Sequence, residues 1–183
     1  MVKGQTVQHK VYLSLEELFC GTTKSMKVSR KRLNPDGRTT QQQSTVLKIE
    51  VKRGWKAGTK ITFPKEGDQL PGVIPGDIQF IVGEKPHSVF QRDGNHLIMK
   101  REIPLKEALL GQLIVTVQTL DGRNLQIPIN KIVSPGHVHR VKAEGMPISK
   151  TNGRERGDLL IQFQVRFPSS LTPRQQNMIR QCL

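Results

Sequence analysis

The sequence predicts a mainly β chain: two tandem copies of one small β-rich fold, each with a short helix, followed by one further short helix. Three observations carry that reading. Glycine (16) and proline (11) interrupt the 183 residues often, which favours short strands and turns over long helices. Runs of apolar and polar residues alternate with a period of two. One ordered set of motifs also occurs twice. Leu13-x-Leu15-x-Glu17-x-x-x-Gly21 is matched by Ile103-x-Leu105-x-Glu107-x-x-x-Gly111 at an offset of 90. Val51-x-x-Gly54 is matched by Val133-x-x-Gly136 at 82, Glu66-Gly67 by Glu144-Gly145 at 78, and Gly76-Asp77 by Gly157-Asp158 at 81. Changes in loop length produce such drifting offsets.

Val7–Leu13 (VQHKVYL) alternates and reads as a strand. Ser14 then suits a helix N-cap, with Glu17 at capping-box spacing and Gly21 as the stop. Lys24–Leu33 alternates again. One face of that strand carries Lys24, Met26, Val28, Arg30 and Arg32, apolar in the middle and basic at both ends. If its edge is free, it can take an extended peptide as an added strand. Asn34-Pro35-Asp36-Gly37 is a turn, and Thr45–Lys52 returns with Leu47, Ile49 and Val51 toward the core. Residues 54–58 turn, Thr59–Phe63 is a strand, Leu70–Gly76 is a loop and Ile78–Val82 is an apolar strand. Residues 86–94 read as a connector in which Phe90 is the buried candidate. In the second copy, the strand after Gly111 lacks counterparts of Lys24 and Lys27, and Asp121-Gly122 makes a tight hairpin turn.

The chain ends in a short helix with Thr172 as N-cap and Pro173 at the first helical position. Met178, Ile179, Cys182 and Leu183 fall on one apolar face. A helix of this length is unstable alone, so it is expected to dock, and a second copy of the chain is the preferred partner. The expected organisation is a linker remnant over 1–6, domains over 7–85 and 86–168, and a dimerisation helix over 169–183, the whole being a fragment of something longer.

Composition narrows the function. A hydrophobic content of 35% with 4% aromatics implies modest aliphatic cores. The net charge is +14, and residues 1–60 hold 13 Lys/Arg against 4 Asp/Glu. The basic surface therefore belongs mostly to the first half, where it either solubilises the chain or meets an acidic partner. Cys20 and Cys182 suggest no disulfide framework and hence a reducing compartment. Cys20 reads as a buried, inert thiol. No run is long enough to span a membrane, and the start is not a signal peptide. His137-x-His139 can share a strand face, but no cysteine or acid stands at ligand spacing, so no metal or cofactor is expected. No GxSxG, P-loop or GxGxxG motif occurs, and no enzyme is expected. Nucleic acid is disfavoured: Trp55 and Tyr12 are alone of their kind, and no stacking platform is evident.

The segments LSLEELFCGTTKSMKV, KRLNPDGR, VKRGWKAGTKITFPKEGD, GDIQFIV, EKPHSVFQRDGNHL, LKEALLGQLIVTVQTLDGR, EGMP and RGDLLIQFQVRFP closely resemble the C-terminal region of class B DnaJ-type J-domain co-chaperones. The resemblance runs from about Val7 to Leu183. Neither the His-Pro-Asp tripeptide of a J domain nor CxxCxGxG repeats occur. The resemblance implies two β-sandwich-like domains, a homodimer built through Met178, Ile179, Cys182 and Leu183, and a cytoplasmic location. It implies that the first domain binds non-native polypeptide and the acidic EEVD tail of the cytosolic seventy-kilodalton heat-shock chaperone. Carried over by position, Val11, Met26, Val28 and Phe80 would line the apolar groove, and Lys24 and Lys27 would meet the tail carboxylates. Met26 stands where relatives often carry an aromatic, His9 where they carry an aliphatic, and Ser44 where they place a lysine, so that this tail contact is either lost or taken over by Lys48. Phe80 reads equally well as groove or as core.

Overall fold

The computed structural model describes residues 2–183. The first half forms β1 (Val2–Lys3), β2 (Val7–Leu13), α1 (Leu15–Cys20), the long pair β3 (Thr22–Leu33) and β4 (Thr40–Val51), β5 (Lys60–Phe63), β6 (Val73–Ile74) and β7 (Ile78–Glu84). The second half forms β8 (Phe90–Asp93), β9 (His96–Pro104), α2 (Leu105–Leu110), β10 (Leu113–Gln118), β11 (Asn124–Ile129), β12 (Val138–Val141), β13 (Leu159–Arg166) and α3 (Pro173–Cys182). Among the described residues, strands up to β7 pair only with one another, and so do strands from β8 onward.

The two units share one plan. In the first, β2 runs parallel to β7, β5 lies antiparallel on the other side of β7, and β3 and β4 form a separate ribbon. In the second, β9 is parallel to β13, β12 is antiparallel to β13, and β10 and β11 form the ribbon. The registers agree. Val7 stands opposite Ile78 and Leu13 opposite Glu84, just as Leu97 stands opposite Leu159 and Ile103 opposite Val165.

Both units enter the second parallel strand by the same device. Lys65 (φ 58°) and Ala143 (φ 57°) hold left-handed backbone, uncommon for residues with a Cβ. Their N–H groups donate to Asp77 Oδ1 at 3.0 Å and to Asp158 Oδ1 at 2.9 Å. A Cβ on Gly76 would lie 2.1 Å from the Gln5 carbonyl oxygen, and one on Gly157 would lie 2.0 Å from that of Asn95. Two backbones cross there too closely for any side chain.

Hydrogen bonds correct one correspondence. Gly58 N–H donates to the Val82 carbonyl and Gly136 N–H to that of Phe163, while Gly54 and Val133 donate to the carbonyls of Leu18 and Ala108. Gly136 is thus the counterpart of Gly58, not of Gly54. The second ribbon is shorter, so the Val-x-x-Gly match arises between turns that are not equivalent.

Local chemistry fixes the helices. In α1, Glu17 N–H donates to Ser14 Oγ at 3.2 Å and Ser14 N–H to Glu17 Oε2 at 2.9 Å, a complete capping box. Thr172 and Gln175 make the same box for α3. Leu13, Leu18 and Phe80 in the first unit, and Val115, Ile161 and Phe163 in the second, are fully enclosed. Each contributes roughly 1.5–3 kcal/mol by burial.

Four expectations change. Val2–Lys3 is not a loose remnant but a strand, parallel to Val73–Ile74 within the stretch read as a loop. Gly4 N–H donates to the Ile74 carbonyl at 2.8 Å, and Lys3 pairs with Asp77 at 2.7 Å. Met1 lies outside the described residues. The connector contains β8, which Phe90 anchors in the core. Cys20 is exposed rather than buried, because the last residue of α1 faces away from the packed side.

The units meet tightly. Arg92 of β8, almost wholly enclosed, donates Nη1 to the Trp55 carbonyl and to Glu84 Oε1, both at 2.7 Å, and Nη2 to the Gly54 carbonyl at 3.1 Å. Burial lowers the pKa of Arg92, and Glu84 opposes that shift. A Cβ on Gly54 would lie 2.2 Å from the Pro147 carbonyl oxygen. Arg156 lies over the Phe19 ring at 4.9 Å.

Candidate functional site

The β3–β4 ribbon pairs in register from Thr22 opposite Val51 to Leu33 opposite Thr40. The outer side of β3 is visible from its end. Lys31 N–H donates to Asp68 Oδ1 at 2.7 Å, and its carbonyl accepts from Gln69 N–H at 2.8 Å. The backbone groups of Lys31 therefore point away from β4. Successive residues of a strand alternate in hydrogen-bonding direction. Thr23, Ser25, Lys27 and Ser29 thus direct their N–H and C=O groups to the same side. Among the described residues no strand pairs there.

Burial divides the side chains of β3 between two faces. Lys24, Met26, Val28, Arg30 and Arg32 point inward, while Ser25, Lys27 and Ser29 point to solvent. The predicted groove residues differ in access. Val11 (3% exposed), Val28 (5%) and Phe80 (0%) are core, and Met26 is half-buried at its margin. His9 stands opposite Phe80 in the β2–β7 register, exposed, with its ring 5.8 Å from the phenyl centroid. Met26 and His9 are the accessible residues of this set, and Val11, Val28 and Phe80 are enclosed.

The predicted tail lysines do not form one cluster. Lys27 and Lys48 lie on the outer face. Ser25 is opposite Lys48 and Lys27 opposite Val46, so the two lysines are diagonal neighbours at a spacing of roughly 7–8 Å. Lys24 lies on the inner face, its Nζ 2.6 Å from Glu17 Oε1. That ammonium hydrogen bond holds the Glu17 carboxyl below the ordinary carboxylate range. Arg30 is paired with Glu66 and also donates to its carbonyl at 3.0 Å. Sequence reasoning missed Glu17 as part of this surface, because its capping spacing already gave it a role. Alternation alone placed Lys24 and Lys27 on opposite faces.

At the other end of the chain, Met178, Ile179, Cys182 and Leu183 are exposed, and no residue of α3 is buried among the described residues. A second apolar surface lies on the second unit, where Leu109, Leu110 (64% exposed), Ile114 and Ile132 (65%) face solvent. The backbones of Gly111 and Ile132 approach closely, which links the end of α2 to that loop. His137 stacks on Phe163 at 6.3 Å and is a packing residue. No group of three or more His, Cys, Asp or Glu side chains is placed to hold a metal among the described residues.

This duplicated fold has relatives. The DnaJ C terminal domain family matches residues 7–168. The chain belongs to that family. It is 48% identical to DnaJ homolog subfamily B member 5 of Homo sapiens over 182 residues, 100% of this chain and 52% of the relative. It is 48% identical to the human DnaJ homolog subfamily B member 13 over 97% of this chain and 55% of the relative. Protein SIS1 of Saccharomyces cerevisiae is 40% identical over 96% of this chain and 48% of its own length. The chain thus has the C-terminal region of class B DnaJ-type co-chaperones and spans about half the length of these relatives. Within this DnaJ C-terminal fold, no described helix is long and apolar enough to cross a membrane.

Proposed function

We propose that this DnaJ C-terminal region is a non-enzymatic binding module. It holds non-native polypeptide, and it holds the acidic EEVD tail of the cytosolic seventy-kilodalton heat-shock chaperone, at the β3 edge of the first unit. The observation that carries this reading is the run of unpaired backbone groups from Thr23 to Ser29 beside half-buried Met26. A peptide added there alternates its side chains between the two faces. Apolar residues meet Met26 on the inner face with an acidic one beside Lys24, and further acidic residues meet Lys27 and Lys48 on the outer face. Exposed ion pairs contribute about 0.2–1 kcal/mol each, so binding is weak and sensitive to salt.

Dimerisation completes the reading. The first unit's counterpart of Leu109 is Phe19, which Arg156 covers. The equivalent face of the second unit is bare, and α3 presents an uncovered apolar stripe. A second copy's helix fits that need. Sedimentation equilibrium is expected to return a dimer, and Met178→Glu/Ile179→Glu a monomer.

Calorimetric titration with a peptide ending in EEVD tests the site, at low and high salt. Binding near the micromolar range, weakened by salt and by Lys24→Ala/Lys27→Ala, is expected. Met26→Glu is expected to abolish capture of an unfolded client while leaving any binding to phosphate polymers unchanged. The opposite pattern would favour a basic nucleic-acid-binding protein instead.

A further inference from the structure

The two carboxylate oxygens of Glu17 have separate partners. Oε2 accepts the Ser14 N–H at 2.9 Å and closes the capping box. Oε1 lies 2.6 Å from Lys24 Nζ, with both side chains roughly 30% exposed (31% and 28%). The second unit keeps neither role, since α2 starts after Pro104, which has no side-chain cap. Its equivalent of Glu17 is Glu107, and its equivalent of Lys24 is Ile114, each displaced by 90 residues. The glutamate is therefore compatible with the fold without a lysine opposite it, and the ion pair is particular to the unit with the basic strand. Glu17 presents to Lys24 the same functional group that an acidic peptide would bring.

We propose that Glu17 is an internal competitor that sets the affinity and selectivity of the β3 edge for acidic segments, by holding the Lys24 ammonium that ligand carboxylates must take or share. The inference rests on the reading of that edge as an acidic-peptide site. A ligand with one carboxylate near Lys24 gains little, because it exchanges one ion pair for another. A ligand with several acids gains at Lys27 and Lys48 as well, so the internal pair discriminates in favour of clustered negative charge. The Coulomb field of Glu17 also disfavours any acid placed beside it.

Glu17→Gln separates the two jobs, because glutamine serves the capping box equally well through its carbonyl oxygen. The acidic peptide is expected to bind E17Q about two- to fivefold more tightly than wild type at low ionic strength, the range that one exposed ion pair spans. The gain should vanish in the Lys24→Ala background, in ~1 M salt where screening reaches about 3 Å, and for a peptide whose acids are replaced by amides. The thermal midpoint of E17Q checks that the fold is kept. In wild type, the Glu17 carboxyl carbon resonance should also move when the peptide saturates the protein. If Lys24→Ala weakens binding but E17Q is no tighter and the Glu17 resonance stays still, Glu17 merely orients Lys24 and the inference is overturned while the site stands. If Lys24→Ala/Lys27→Ala leaves the affinity unchanged, the reading of the site itself fails.

Discussion

The two units are built on one register, yet they differ at the edge of their first long strand. In the second unit, β8 adds antiparallel to β9, placing Phe90 opposite Met99 and Asp93 opposite His96. In the first unit, no strand occupies the matching edge of β2 among the described residues. Leu97 is 2% exposed and its counterpart Val7 is 44% exposed. Among the described residues, the edge of β9 carries β8, whereas the matching edge of β2 and the outer edge of β3 carry no strand. A cleft of about 860 Å³ lies beside β8, lined by Glu16 of α1 and by His87, Phe90, Met99, Lys100 and Arg101 among others. The ribbon strand β10 carries Ile114 and Val117 where β3 carries Lys24 and Lys27. On the proposed reading, the first unit binds and the second supports it. The strand that closes the support also brings Arg92 into the joint.

The largest effect is expected at the paired edge of β9. Phe90→Ala removes the buried anchor of β8 and is expected to cost about 3–5 kcal/mol, read as a shift in the urea midpoint. Amide exchange at His96–Met99 should rise while Val7–Lys10 stays unchanged. Next, Gly157→Ala forces a Cβ against the Asn95 carbonyl and is expected to cost roughly 3 kcal/mol, as Gly76→Ala should against Gln5. Similar losses from both would confirm that the crossings are equivalent. Arg92→Met leaves the Gly54 and Trp55 carbonyls without their donor. A loss of about 1–3 kcal/mol is expected, with the two units melting at separate midpoints if this arginine couples them.

The smallest effect concerns acid. The Lys3 ammonium and the Lys65 N–H hold Asp77 below the ordinary carboxylate range, and the Ala143 N–H and Arg140 do the same for Asp158. A carboxylate depressed in the fold contributes stability that is full above its unfolded pKa, about 3.9 for aspartate. That stability is lost as pH falls through the lower folded value. The urea midpoint should hold from neutrality down to about pH 5 and decline below it, and Asp77→Asn/Asp158→Asn should flatten the decline.

Much of this was legible in the residues. Ser14 and Glu17 announced α1, Asn34-Pro35-Asp36-Gly37 announced the hairpin after Leu33, and Thr172-Pro173 announced α3, because capping and turn chemistry are local. The alternation of Lys24, Met26 and Val28 gave the inner face of β3. What could not be read depends on distant partners. Val2–Lys3 is a strand only because Val73–Ile74 lies beside it. The four residues of β8 carry too short a pattern to register, and only the edge of β9 makes them a strand. The burial of Val11, Val28 and Phe80 is likewise set by packing between sheets, and strand periodicity does not distinguish a groove wall from a core. The Glu17–Lys24 pair escaped notice because the helix cap and the strand were read as separate local features.

The proposed division of labour has the first unit bind peptide and the second support it. It is tested most directly by recording amide resonances of the chain while adding a peptide ending in EEVD. The predicted result is a set of saturable shifts over Thr23–Ser29, Val46–Lys48 and the Met26 methyl, with Leu113–Gln118 unmoved. Shifts centred on β9 and β10, or no shift at any peptide concentration in low salt, would contradict it.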